Sequence, residues 1–129
     1  MKLYKSVFIL LLSIVAVACS KEKVTIVVPS DANNRVQYAG ERLEKILNQY
    51  GYSAEIVQQM PEGESSNKII ALSVSKEDSL KKEGYTIKTE GNVISVCGND
   101  ASGVIYGTCY LTDNLQNQGK LEAPAELTD

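Results

Sequence analysis

The chain has 129 residues and a formal net charge of −3, from 13 basic and 16 acidic side chains. The basic residues do not cluster, and neutralising phosphates needs clustered Lys and Arg, so the composition argues against a nucleic-acid partner. The absence of His excludes Ser-His-Asp and Cys-His catalysis and most zinc sites. The absence of Trp weakens the case for an independent carbohydrate-binding module with a flat aromatic platform. Without an export signal, the length leaves one small domain with a single core.

The N-terminus has the layout of an export signal. Two lysines precede an apolar stretch over residues 7–17, and small side chains then lead to Cys19. This pattern predicts a signal peptide over residues 1–18, since the apolar part is shorter than the ~20 residues that a membrane-spanning helix needs. The run AVAC resembles a bacterial lipobox, which implies a lipid on Cys19, a polar tether over residues 19–23 and anchoring at the outer membrane. Ordinary signal cleavage, with Cys19 incidental, is the alternative.

The first half of the remaining chain predicts a strand followed by a helix. Val24–Val28 is a continuous β-branched run that Pro29 ends, which is typical of a strand covered on both sides. Ser30 or Asp31 is the expected N-cap of a helix that runs to about Tyr50, with Gly51 as its left-handed end. Apolar residues at steps of three and four form one stripe on this helix: Val36, Ala39, Leu43, Ile46, Leu47 and Tyr50.

Two further strands follow, separated by a polar loop. Ala54–Val57 predicts a short strand, and residues 60–67 contain Pro and Gly and predict a loop. Lys68–Val74 is apolar enough for a central strand. The charged segment Ser75–Lys82 predicts a turn or a single helical turn.

A hairpin and a helix complete the pattern. Tyr85–Thr89 and Val93–Cys97 alternate in polarity, and Glu90-Gly91-Asn92 between them supplies the backbone freedom of a hairpin turn. Asn99 and Asp100 then predict the N-cap of a helix over Ala101 to about Asn117. Residues 119–129 are predicted to form no element and to act as a linker.

The order β-α-β-β-β-β-α predicts an α+β fold over residues 24–118. We expect a two-layer sandwich, with a mixed β-sheet and two helices packed on one face of it.

The stretch Gly84–Leu115 resembles a known signature. The pattern is a strand G-Y-x-I-x, a turn, a second strand and then G-x-D-x-x-G-x-x-Y-G at the start of a helix. The matching residues are Gly84, Tyr85, Ile87, Gly98, Asp100, Gly103, Tyr106 and Gly107. This resembles the hexosaminidase domain 2-like α/β domain that precedes the catalytic barrel in family 20 β-hexosaminidases, family 84 enzymes and family 67 and 115 α-glucuronidases.

The resemblance implies a non-catalytic accessory domain whose partner is a catalytic barrel absent from this chain. The expected parent enzyme is an O-glycosyl hydrolase, such as an α-glucuronidase or a β-hexosaminidase, at the cell envelope. The chain then corresponds to the front of a larger enzyme, either truncated or as a natural short product. Two alternatives stay open: an autonomous lipid-anchored glycan-binding protein, and a small enzyme in its own right.

The residues themselves predict no catalytic, cofactor or metal site. Glycoside hydrolysis needs two carboxylates that flank the bond, and no defensible pair is present. Asp100 is expected to cap a helix. The Gly98–Gly103 segment between a strand and a helix could bind phosphate, but it lacks the Lys of a P-loop, so a turn with a cap is favoured. Cys97 and Cys109 are expected as free, mostly buried thiols, although an exported protein could pair them.

The last helix carries the predicted docking residues. Its apolar face is expected to pack on the sheet through Val104, Ile105, Thr108, Leu111 and Leu115. Tyr106 and Tyr110 then point away from the sheet, beside Gly103 and Gly107, which would permit a close approach of the missing barrel. The alternative is that Tyr106 tucks its ring under a neighbouring strand of the same domain.

Overall fold

A computed structural model describes residues 20–63 and 65–129 of the chain. Six strands and two helices follow one another along these residues. In chain order they are β1 (Lys23–Val27), α1 (Asn34–Gln49), β2 (Ser53–Val57), β3 (Lys68–Val74), β4 (Tyr85–Glu90), β5 (Val93–Gly98), α2 (Ala101–Gln118) and β6 (Glu126–Thr128). None of the helices in this described part is long and apolar enough to span a bilayer.

All six strands form one mixed sheet in the order β2-β1-β3-β5-β4-β6. The pairs β1–β2, β1–β3 and β3–β5 are parallel, while β4 runs antiparallel to both β5 and β6. The interior positions of β1 and β3 agree with their nearly continuous apolar sequences. The predicted α+β sandwich with a mixed sheet and two helices is therefore confirmed.

Both helices pack on the same face of the sheet and against each other. The core between the layers is apolar, with Leu43 and Leu47 from α1, Ile26 and Ile70 from the sheet and Leu111 from α2 fully buried. At the contact between the helices, Arg42 Nη1 donates to Thr112 Oγ1 at 3.2 Å. This packing leaves one side of each helix turned away from the sheet.

The hairpin is as predicted. Glu90 pairs with Val93, so Gly91 and Asn92 form a two-residue turn. Gly91 has a φ of 59°, in the left-handed region that glycine adopts at low cost. The Asn92 side chain donates to the carbonyl oxygen of Asn67 at 2.7 Å, which ties this turn to the start of β3.

The predicted start of the first helix is wrong by two to three residues. The N-cap is Asn33, whose Oδ1 accepts from the amides of Arg35 (3.0 Å) and Val36 (3.1 Å), and not Ser30 or Asp31. Residues 29–32 form a turn instead, closed by the Ala32 amide on the Pro29 carbonyl at 3.0 Å. The predicted end is confirmed, because Gly51 follows the helix with a φ of 90°.

The prediction that residues 119–129 form no element is also wrong. Leu121 is buried, and its amide donates to the Tyr52 hydroxyl at 2.7 Å. The chain then adds β6 to the sheet, with Leu127 opposite Ile87, and the Asp129 amide donates to the Tyr85 carbonyl at 3.0 Å. The strand is only three residues long and follows Pro124, so its local sequence signal is weak.

Candidate functional site

The start of α2 is built around one carboxylate. Asp100 caps the helix by accepting the Gly103 amide at 2.9 Å, and its second oxygen accepts the Glu83 amide at 2.9 Å. These two amides lower the pKa of the Asp100 carboxyl below its ordinary value of 3.8, because they stabilise the charged form. Glu83 has a φ of 64°, an uncommon conformation for a residue with a side chain. Asp100 therefore joins the helix to the segment before β4.

Asn99 does not share the capping role that the sequence suggested. Its Oδ1 accepts the Glu77 amide at 2.8 Å, and its Nδ2 donates to the carbonyls of Leu80 (3.3 Å) and Lys81 (3.2 Å). The side chain thus fixes the turn between β3 and β4. Because the Gly103 amide serves the Asp100 carboxylate, the segment 98–103 is a turn with a cap, and the phosphate-binding alternative finds no support here.

The signature glycines lie on the sheet side of α2. A Cβ at Gly103 would run into the carbonyl oxygen of Gly84, and one at Gly107 would lie 2.5 Å from Val96 Cγ1. Both positions are buried. The expectation that Gly103 and Gly107 open the outer side of the helix to a partner is corrected: the close approach is between α2 and its own sheet.

Tyr85, another signature residue, links three elements. Its ring packs beside Gly107, with Cδ2 3.2 Å from the position of an added Cβ. Burial, and then the nearby Asp129 carboxylate, raise the pKa of Tyr85 above its ordinary value of 10.0. The side chain therefore packs between β4, α2 and the end of β6.

The two predicted docking tyrosines have different surroundings. Tyr106 is 49% exposed, so it is not tucked under a strand of the described residues. Tyr110 is half-buried and packs against the core. Ile105 is also only half-buried, whereas Val104 and Leu111 on the same helix are fully buried. The expectation that Tyr110 points away from the sheet is therefore wrong, because its side chain packs against the core. The docking role of Tyr106 and Tyr110 stays a prediction.

The structure adds α1 to this surface, which sequence reasoning missed. Tyr38 is 56% exposed and lies off the apolar stripe of α1. It borders a groove of about 520 Å³ to which both helices contribute. Together, the following outward side chains of both helices form a surface that we call the outer helix face: Tyr38, Arg42, Lys45, Gln49, Tyr106, Asp113 and Gln116. The position of Tyr38 outside the apolar stripe of α1 could have indicated from the sequence that this ring is exposed.

The cysteines separate onto two sides of the sheet. Cys97 lies on β5, opposite Thr86 of β4. Ile94 and Val96 on the same strand point into the core beneath the helices. Because side chains alternate between the two faces of a strand, that of Cys97 points away from the helices. Cys109 lies on α2, on the other side. Both are free, as the first interpretation expected, but they are half-buried and not mostly buried; the disulfide alternative is wrong. Cys19 lies outside the described residues, so its predicted lipid stays a prediction.

The described residues bring together no group of three or more potential metal ligands. Four acidic side chains form ion pairs at the surface, those of Glu22, Glu122, Glu126 and Asp129.

A family model for glycosyl hydrolase family 20, domain 2, matches residues 16–128 of the chain. None of the curated proteins compared with the chain matches it. Among solved structures, a GH138 enzyme that targets pectin rhamnogalacturonan II is 29% identical with a TM-score of 0.72. That match covers 83% of this chain and 15% of the enzyme.

Two other solved structures share the fold at lower identity. The Streptomyces plicatus β-hexosaminidase is 17% identical with a TM-score of 0.55, over 71% of this chain and 17% of that one. CpGH84D is also 17% identical, with a TM-score of 0.54, over 83% of this chain and 19% of that one. The chain thus spans less than a fifth of the length of these structures.

Proposed function

Because the chain belongs to the family of glycosyl hydrolase family 20 domain 2, we propose that it is a non-catalytic accessory domain of a carbohydrate-degrading enzyme. The similar solved structures are several times longer than this chain. An accessory domain that contacts a catalytic barrel accounts for that difference in length. Whether the barrel cleaves β-hexosaminides, α-glucuronides or another linkage is left open by the proposal.

The exposed tyrosines of the outer helix face are the observation that carries this proposal. Tyr38 and Tyr106 are 56% and 49% exposed, on neighbouring helices that pack on the same sheet. The outer side of a surface helix in a self-contained domain is normally polar, and here Arg42, Lys45 and Asp113 follow that rule while the two large rings do not. Aromatic rings that leave water contribute strongly to an interface, so two of them on one face favour a partner. The proposed docking surface therefore joins Tyr106 of α2 to Tyr38 of α1, while Tyr110 packs against the core and lies outside it.

The absence of catalysis in this domain is part of the proposal. The carboxylate in the family signature, Asp100, is engaged by two backbone amides as a cap. Its lowered pKa also disfavours the protonated form that a general acid needs near neutral pH. Purified protein that turned over aryl glycosides, with the activity lost in an Asp or Glu variant of this domain, would overturn this point.

A lipid anchor on Cys19 and an outer-membrane location complete the proposal, on the strength of the N-terminal sequence. Cys19→Ala should move the protein to the soluble periplasmic fraction. Labelling of the unsubstituted protein with a palmitate analogue should give a signal that Cys19→Ala lacks. Lack of signal in both proteins contradicts the anchor and favours ordinary signal cleavage.

The groove of the outer helix face supports one alternative, an autonomous glycan-binding protein. Tyr38 stands there beside Arg42, Lys45 and Gln49, a ring with hydrogen-bonding groups around it. Glycan-array binding by residues 20–129, lost in Tyr38→Ala, would favour this alternative. The accessory-domain proposal predicts no such binding.

The DNA that follows codon 129 in the source genome tests the leading proposal directly. A continuing reading frame that encodes a catalytic barrel is the expected result. A stop codon in the native gene, with no barrel on the same transcript, contradicts the proposal.

A further inference from the structure

The first edge of the sheet is formed by β2, which has one neighbouring strand, β1. The Ser53 amide donates to Glu22 O at 2.9 Å and Val57 O accepts the Val28 amide at 2.9 Å, so these residues turn their backbone groups toward the β1 side. The backbone N–H and C=O groups of successive residues in a strand point alternately to its two sides. Ala54 and Ile56 therefore direct their N–H and C=O groups outward, where another strand could pair.

One side chain occupies half of this edge. The Ala54 amide donates to Asn48 Oδ1 at 2.9 Å, and Asn48 Nδ2 donates to the Ala54 carbonyl at 3.4 Å. A neighbouring strand would offer the same acceptor and the same donor to Ala54. The exposed Asn48 amide, at the end of α1, thus imitates one residue of a missing strand.

We propose that Asn48 protects the β2 edge, and that without its side chain a second copy of this chain would pair there. An exposed edge strand is a template for pairing with another chain, and proteins protect such edges. The segment β2 has the β-branched Ile56 and Val57 and no Pro or Gly, so it suits self-pairing. A two-fold antiparallel pair that uses the outward groups would place Ala54 opposite Ile56 of the other copy.

The same register supplies a second barrier. Its two-fold axis passes at Glu55, so the two Glu55 carboxylates would stand directly opposite each other. Like charges opposite each other in adjacent strands are destabilising. Asn48 therefore blocks the backbone groups of the edge, and Glu55 disfavours the pair that would form without that block.

The test uses residues 20–129, because all members of the core lie within this range. Asn48→Ala removes the amide, and alanine is a good helix former, so the variant should fold as shown by circular dichroism. Light scattering after size-exclusion chromatography should show a monomer–dimer equilibrium that the unsubstituted protein lacks. Asn48→Ser, whose side chain is too short to reach Ala54, should behave in the same way.

Two further variants test which side chains control dimer formation. Asn34→Ala removes an exposed Asn at the other end of α1 and should leave the protein monomeric. Adding Glu55→Thr to Asn48→Ala should tighten the dimer several-fold, because the opposed charges are gone. Hydrogen exchange at the Ala54 amide of Asn48→Ala should be fast at low protein concentration, where this variant is monomeric, and slow in its dimer. Folded Asn48→Ala and Asn48→Ser proteins that stay monomeric at all concentrations, or that form only larger aggregates, would overturn the proposal.

Discussion

Substitution of Gly103 by alanine tests the physical reading of the signature glycines. The added methyl group would overlap the Gly84 carbonyl oxygen and lie 3.1 Å from the Cα of Gly98. Both neighbours are backbone atoms, so relief requires α2 or the segment before β4 to move. That movement would strain the hydrogen bond that the Asn99 amide donates to the Gly84 carbonyl oxygen, which is 2.9 Å long.

The magnitude follows from two opposing effects. Overpacking a close contact costs roughly 1–3 kcal/mol, and replacing glycine by alanine in a helix returns at most about 1 kcal/mol. Because backbone atoms cannot rotate aside, we expect the upper part of this range and a net loss of about 2 kcal/mol in the free energy of unfolding. In a domain of this size that corresponds to a melting temperature lower by roughly 8–16 °C.

Urea denaturation followed by circular dichroism measures this change, with Gly107→Ala as the matched variant. A methyl group at Gly107 would lie 2.5 Å from Cγ1 of the buried Val96 and 3.2 Å from the Tyr85 ring, so these side chains must shift, but the nearest atoms are not backbone. We therefore expect a smaller loss there, of about 1 kcal/mol, since helix propensity offsets part of the overpacking. The reasoning is refuted if Gly103→Ala is as stable as the unsubstituted protein, or if Gly107→Ala is the more damaging of the two.

Three further predictions concern single contacts. Tyr52→Phe leaves the buried Leu121 amide without its acceptor, which should cost about 1–3 kcal/mol in the free energy of unfolding and speed hydrogen exchange at Leu121; unchanged exchange would contradict the tether. The pKa of Asp100 is lowered from 3.8 in the folded state. The ionised carboxylate therefore stabilises the fold above pH 3.8, and this stabilisation is lost as the pH falls through the folded pKa. The stability advantage over Asp100→Asn, measured by denaturation at pH 7 and pH 3, should therefore shrink at pH 3; a constant advantage would count against it. Cys97 and Cys109 should both react with a thiol reagent in unfolded, unreduced residues 20–129, whereas a single unreactive pair would indicate a disulfide.

Local patterns predicted the fold well where they agreed with the tertiary structure. The β-branched run of β1, the stripe on α1 and the Gly91 turn each carried a signal within a few residues, and each element is present. The short strand β6 lacked such a signal, because it is held by pairing with β4 and by the distant Tyr52 hydroxyl. The N-cap of α1 was misplaced because Asp31 and Asn33 are both good caps, and only the turn at 29–32 decides between them.

The candidate site was predictable in part. Helical periodicity placed Tyr106 on the outer side of α2, and the structure confirms its exposure. The direction of Gly103 and Gly107 was missed, because a glycine carries no polarity signal and only the packed sheet shows what lies against it. The contribution of Tyr38 depends on how α1 sits beside α2, a relation that sequence periodicity within one helix does not contain.

Hydroxyl-radical footprinting of the tyrosines is the most direct test of the proposed docking surface. Residues 20–129 alone would be compared with the proposed longer protein that includes the barrel, and the exposed Met60, in the loop after β2, would serve as the internal reference. The account predicts that Tyr38 and Tyr106 react readily in the isolated domain and are protected in the longer protein, while Met60 reacts equally in both. Equal reactivity of Tyr38 and Tyr106 in the two proteins would contradict docking through the outer helix face.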